Sequence, residues 1–344
     1  MQAPVSTLAS LSLSELLIVA AAMINAAFTL PLKRMRQWPW ENAWLIWTFS
    51  ALIIFPLVAA FLTIPDLAGD YREVDRECLL KICSYGVGWG MAQVLLGLAV
   101  EPIGVALSFS IVLGMSAAVG TMIPFVRLQS AALFQQTFGV LISGLALVVL
   151  GVGLCALAGR RREQELHVGL NPGSNSFKFG VTCALASGVL ASMMNLGISF
   201  GAPLLKLAVA HDASPLWCAN VIWVPLLAAG AVPNIVYCLY LFRKHRSTIQ
   251  YSEVNLLHCW LLSVLMGALW FGGHLLYGMG ISFLGTLGPT LGWPIYMSFL
   301  VISAGLYGFL AGEWRRVSSV PIRFQLAGMI ILCVAVFIFS KVRP

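Results

Sequence analysis

The chain has 344 residues, 60% of them hydrophobic and only 10% charged, with a formal net charge of +7. A soluble domain carries about 25% charged residues, so a soluble globular fold is excluded. The positive charge falls in short clusters at the ends of apolar runs, as topology signals do, and this argues against a nucleic-acid-binding face.

Apolar runs of about 20 residues recur along the whole length, and each is enough to cross a hydrocarbon core of about 30 Å. They predict an all-α membrane protein of about ten transmembrane helices. The spans fall near 15–32, 43–64, 79–100, 103–124, 134–157, 179–200, 217–241, 256–280, 287–311 and 322–340. The first 14 residues hold no Lys or Arg, so the basic start of a cleavable signal peptide is absent.

Alternate connections carry the basic residues. Lys33, Arg34 and Arg36 follow the first span, and Arg160, Arg161, Arg162 and Lys178 separate the fifth from the sixth. Arg243, Lys244 and Arg246 follow the seventh, and Arg315, Arg316 and Arg323 follow the ninth. The longest connection on the other face is acidic (Asp66, Asp70, Glu73, Asp75, Glu77). The positive-inside rule then predicts a cytoplasmic basic face, with both termini periplasmic or extracellular.

The third span holds a motif that recurs at a constant offset of 181 residues: Gly86, Trp89, Gly97 and Gly104 fall on Gly267, Trp270, Gly278 and Gly285, with Gln93 opposite His274. A weaker echo pairs Ala21-Ala-Met-Ile-Asn25 with Ala191-Ser-Met-Met-Asn195. These echoes predict an internal duplication: residues 1–158 and 177–344 as five-helix repeats, joined by a cytoplasmic linker at 159–176 around Asn171-Pro172-Gly173. Because each half has an odd number of spans, the second must enter the bilayer from the opposite side. Inverted repeats of this kind are the architecture of alternating-access transporters.

The third and fourth spans are joined only by Glu101-Pro102, which predicts a tight antiparallel hairpin. Gly86, Gly90 and Gly97 are expected to let neighbouring backbones approach closely. The ninth span opens Gly285-Thr-Leu-Gly288-Pro289-Thr-Leu-Gly292-Trp293-Pro294, which predicts a broken or late-starting helix beside protein or a cavity.

Few polar side chains lie deep in the spans: Asn25 and Gln93 in the first half, Asn195 and His274 in the second. Amides offer donors and acceptors together, which suits a ligand rich in hydroxyls. Trp270, His274 and Tyr277 share a helix face, and Trp293 and Tyr296 stand on the ninth span. Aromatic faces beside amides fit a sugar ring, whose C–H face stacks while its hydroxyls are hydrogen-bonded. The bland alternative is that Asn and Gln only join helices, and that Trp38, Trp40, Trp217 and Trp314 are interface anchors. His274 is the one His within a span away from its ends, and an intramembrane ionisable group is a candidate proton carrier.

Enzyme signatures fail. Gly197-Ile-Ser199-Phe-Gly201 matches a nucleophile motif that requires a strand–turn–helix setting, and here it ends an apolar helix. The eight cysteines show no Cys-x-x-Cys spacing and read as small buried hydrophobes, so neither a metal nor another cofactor is expected.

With these residues in view, the chain resembles the L-rhamnose–proton symporters of the drug/metabolite transporter superfamily. The likeness lies in Pro31-Leu-Lys33-Arg-Met-Arg-Gln-Trp38-Pro-Trp40-Glu41, in Trp89-Gly90 with Gly97, and in Met194-Asn195. It continues through Gly267-Ala-Leu-Trp270 and Trp293-Pro-Ile-Tyr296-Met-Ser-Phe299 to Glu313-Trp314. This chain departs from the family pattern at Gly288-Pro289-Thr290, where the family has an acidic residue, and Asn25 has no match. The resemblance implies ten helices in two inverted five-helix repeats, a bacterial inner-membrane location and proton-driven uptake of a deoxy-sugar. The expected site comprises Asn25, Trp89, Gln93, Asn195, Trp270, His274, Tyr277, Trp293 and Tyr296, with H+ as coupling ion and His274 carrying it. An exporter of metabolites or amphipathic compounds from the same superfamily is the alternative.

Overall fold

The computed structural model describes residues 8–35, 38–129, 131–166, 174–246 and 256–341. Every regular element among them is helical, and ten spans are long and apolar enough to cross a membrane. The chain is a multi-pass α-helical membrane protein.

The first span is α1 (Leu8–Ala26), which tightens into 3-10 turns at Ala27–Thr29 and Pro31–Arg34. Pro31 has no N–H to continue an α-helical ladder. The second span is α2 (Trp40–Phe49) and α3 (Phe55–Thr63), joined by a π-helical turn at Ser50–Ile54. A short helix, α4 (Leu67–Glu73), follows on the acidic connection, N-capped by Asp66, which accepts from the Gly69 N–H at 3.0 Å. Then come α5 (Arg76–Ile103), α6 (Val105–Leu128) and α7 (Ala131–Glu165).

The sixth span is broken into α8 (Ser174–Ala191), α9 (Met193–Phe200) and α10 (Ala202–Ala210). The seventh to tenth are α11 (Asn220–His245), α12 (Leu256–Ser282), α13 (Gly288–Leu310) and α14 (Ser319–Phe339).

Three local expectations change, and the one for the ninth span is narrowed. The third and fourth spans do meet at Gly104, whose φ of +83° makes the sharp reversal. They are not each other's main partner, however: α5 packs chiefly on α8 and α11. Gly86 and Gly90 allow this, because a methyl group on Gly90 would collide with the carbonyl oxygen of Gly230 on α11. Gly97 has open space around it and mediates no such approach. The ninth span is late-starting and not broken: α13 begins at Gly288 and carries Pro294 inside it. Residues 159–165 of the expected linker are the last turns of α7. Asn171-Pro172-Gly173 and Arg36 lie outside the described residues.

Helix pairings recur when each span is advanced by five. The α5–α8, α5–α11, α6–α8 and α6–α7 contacts have counterparts in α12–α1, α12–α2, α13–α1 and α13–α14. Helices of the two halves also pack as α6–α13 and α7–α14. The arginine-rich ends converge. Glu313 joins Lys33 to Arg162, the latter at 2.7 Å, and Glu165 accepts from the Ser318 backbone N–H at 2.7 Å. Glu41 lies 3.0 Å from His245 on this same face.

Candidate functional site

The spans bring one aromatic and amide cluster to the middle of the bundle. Its axis is α12, which projects Trp270, His274 and Tyr277 from successive turns. His274 is nearly fully buried, with its ring 3.9 Å from that of Trp270. Its Nδ1 lies 2.9 Å from the Trp270 carbonyl oxygen and 3.2 Å from Asn25 Nδ2, and that amide also donates to the Trp270 carbonyl at 3.0 Å. Trp270 O accepts from Asn25, so a proton on His274 Nδ1 would have to share the same acceptor.

Around this pair stand Trp89 of α5 (5.4 Å from Trp270), Trp223 of α11 (5.6 Å from His274) and Tyr296 of α13 (5.9 Å from His274). One turn further along α12, Tyr277 packs on Tyr296 at 4.9 Å and on Trp293 at 5.7 Å. Its hydroxyl donates to Asn195 Oδ1 at 3.0 Å.

Asn195 is placed by the break in the sixth span. The turn at Ser192 directs its amide to the carbonyl oxygens of Gly120 at 2.8 Å and Pro289 at 2.9 Å. One side chain thereby ties α6, α9, α12 and the start of α13 together. Trp293 Nε1 donates to the Ser116 carbonyl at 3.0 Å, in a space that Gly120 leaves because it has no Cβ.

All the residues singled out from the sequence share this cluster except Gln93, which is half-buried one turn beyond Trp89, among no ring or hydrogen-bond contacts described for the cluster. Two residues were missed. Trp47 meets Trp270 edge-on at 5.4 Å, and Trp223 meets His274. The signal was present: the Trp47–Trp223 offset of 176 residues falls between the offset of the Asn25–Asn195 echo and that of the Trp89–Trp270 echo.

Several polar atoms here are buried without a hydrogen-bond partner among the described residues: Tyr296 Oη, Trp223 Nε1, Trp47 Nε1, Ser116 Oγ and Thr121 Oγ1. A buried polar group without a partner costs about 1–3 kcal/mol, so these atoms are donors and acceptors left open inside the bundle. Ser199, of the nucleophile-like motif, instead donates its hydroxyl to the Asn195 carbonyl at 2.8 Å.

The family model of the L-rhamnose-proton symport protein (RhaT) matches residues 9–342. The chain belongs to the RhaT family. It is 25% identical over 317 residues to the L-rhamnose-proton symporter of Klebsiella pneumoniae (strain 342), covering 90% of this chain and 92% of that one. The Shigella flexneri L-rhamnose-proton symporter matches to the same extent. That of Cronobacter sakazakii (strain ATCC BAA-894) is 26% identical over 324 residues, covering 90% and 91%. As a RhaT-family member the chain is a secondary transporter of the drug/metabolite transporter type.

Proposed function

We propose that this chain imports a small sugar, L-rhamnose or a related deoxyhexose, together with protons, across a bacterial inner membrane. The buried cluster of Asn25, Trp89, Trp223, Trp270, His274, Tyr277, Trp293 and Tyr296 carries this reading, because it offers stacking faces beside unpartnered donors. Trp89, Trp270, Trp293 and Tyr296 stack against the ring. Asn25, Asn195 and the Tyr296 hydroxyl bind its hydroxyls, Gln93 joins them in a conformation that turns α5 inward, and His274 couples the proton.

Alternating access supplies the motion: two inverted halves rock about the cluster, exposing it to one face at a time. The repeated helix pairings support the duplication, and the basic connections support a cytoplasmic arginine-rich face with both termini outside. The Glu313–Lys33–Arg162 contacts then close the cytoplasmic mouth. No hydrolytic activity is assigned to Ser199, whose hydroxyl is engaged by its own helix.

The test is counterflow of radiolabelled L-rhamnose in proteoliposomes loaded with competing sugars. Exchange with L-rhamnose and loss of exchange in Trp270→Ala are expected. Exchange with hydrophobic cations and none with sugars would point to the exporter reading and overturn this one.

A further inference from the structure

The face opposite the arginine-rich one is fastened by a carboxylate–imidazole cluster. Asp70 of α4 is fully buried, and its Oδ1 lies 2.7 Å from Nδ1 of His211, the residue that caps α10. Its Oδ2 is buried without a partner among the described residues. The other ring nitrogen of His211 lies 3.4 Å from Glu73 Oε2. A carboxylate only accepts, and an imidazole donates from both nitrogens only when protonated. The arrangement suits an imidazolium between two carboxylates.

The cluster joins the two halves of the chain. It links the connection between α3 and α5 to that between α10 and α11, and two neutral hydrogen bonds brace the same junction. Tyr71 Oη donates to the Val221 carbonyl at 2.8 Å, and Asn220 Nδ2 donates to Thr63 Oγ1 at 2.9 Å. The His211 side chain is 29% exposed, so protons reach it from the water.

We propose that His211, Asp70 and Glu73 form a proton-operated gate: protonated His211 holds this mouth shut, and loss of that proton releases it. The inference rests on the transport reading and assigns regulation to it.

The charges around His211 agree in sign. Its hydrogen bond with Asp70 raises the pKa above the ordinary 6.5 against the opposing effect of burial, and the charges of Asp70, Glu73 and Asp66 raise it further. The gate is thus fully held below 6.5 and lost as pH rises through the raised value. α9 and the first turn of α11 bring no Asp, Glu, Lys, Arg or His, and Asp212 and Lys206 are exposed. Burial raises the Tyr71 hydroxyl and pushes the Cys218 thiol up to about 11.

A proton taken from and returned to one aqueous face does no work on the cargo. It alters how fast the mouth opens and leaves the accumulation ratio unchanged. This separates the gate from a coupling site.

The test uses full-length protein in liposomes, spin-labelled at Arg72→Cys and Ser214→Cys with the other exposed cysteine replaced. Between about pH 5.5 and 9, bracketing a raised imidazole, the wild-type distance should lengthen with a midpoint above 6.5. Glu73→Gln should lower that midpoint, and His211→Gln and Asp70→Asn should abolish the transition. L-rhamnose counterflow at equal pH on both sides should lose its pH dependence in His211→Gln while gradient-driven accumulation stays at the wild-type ratio. A distance indifferent to pH, or a transition surviving in His211→Gln, would overturn the gate, as would a lowered accumulation ratio. The spin-label distances are read without sugar, so absent sugar exchange would fail the transport reading and leave the gate to be judged on its own.

Discussion

Trp89 and Trp270, equivalent positions of the echo between the third and eighth spans, lie with ring centroids 5.4 Å apart and planes tilted by 38°. Each ring leaves its own half and meets the other at the centre of the bundle. Aromatic pairs contribute about 0.5–1.5 kcal/mol beyond the area they bury, and truncating a buried Trp to Ala costs about 3–5 kcal/mol. Replacing Trp270 by Phe separates binding from stability. Trp270→Phe should weaken L-rhamnose exchange by about threefold to tenfold in half-saturating concentration, with little change in the thermal midpoint in detergent. Counterflow kinetics and a melting curve on the same preparation check both halves.

Asn195 and Tyr277 should prove strongly coupled. Asn195→Ala leaves the Tyr277 hydroxyl and the Gly120 carbonyl without their bonds, and each orphaned buried group costs about 1–3 kcal/mol. Once Tyr277→Phe has removed the hydroxyl, Asn195→Ala should destabilise less. A double-mutant cycle on detergent melting should show coupling of about 1 kcal/mol. Additive effects would mean that the 3.0 Å bond contributes nothing measurable to stability.

The spans were legible because a bilayer demands long apolar runs and charges mark their ends. Most of the cluster was legible because Trp, Asn and His stand out deep in apolar spans. Other features depend on contacts between distant segments. The π turn at Ser50–Ile54 is set by packing, since Ser50 sits against Gly267 of α12. The break at Ser192 has no proline to announce it, and becomes intelligible only when Asn195 is seen holding α6, α12 and α13. Asp70 read as one more solvated acid of a loop, yet it is fully buried against a His 141 residues away. The places of Trp47 and Trp223 depend on how the second and seventh spans pack against the eighth, where they meet Trp270 and His274.

The Glu313 contacts at the arginine-rich face should act as a second, less pH-sensitive fastening. Burial alone would raise the Glu313 pKa, but Lys33 and Arg162 outweigh it and hold the carboxylate below its ordinary 4.5. The contribution is therefore present above 4.5 and is lost only as pH falls through the lowered value, well outside the window of His211. Part-exposed pairs contribute about 0–1 kcal/mol each, so Glu313→Gln should fold normally. It should shift the population toward the state open at this face, seen as faster thiol labelling of a cysteine placed at Arg315. Labelling at about pH 7 that is the same in Glu313→Gln as in wild type would show that these charges do not fasten the mouth.

His274 tests how the proton drives transport. It is nearly fully buried between Trp270, Trp223 and Tyr296, with Nδ1 beside the Trp270 carbonyl and the Asn25 amide. If this imidazole carries the proton, its exchange must be linked to the opening of the cluster, because sugar and proton each favour the state that the other favours. His274→Gln keeps a polar group of similar reach but removes the titration. It should preserve L-rhamnose counterflow, which needs no net proton movement, and abolish accumulation under an imposed pH gradient. Gradient-driven accumulation that survives in His274→Gln would take the proton away from this residue. Loss of counterflow as well would make His274 a sugar ligand, and His274→Asn under the same two assays would then show whether shape or hydrogen bonding is responsible.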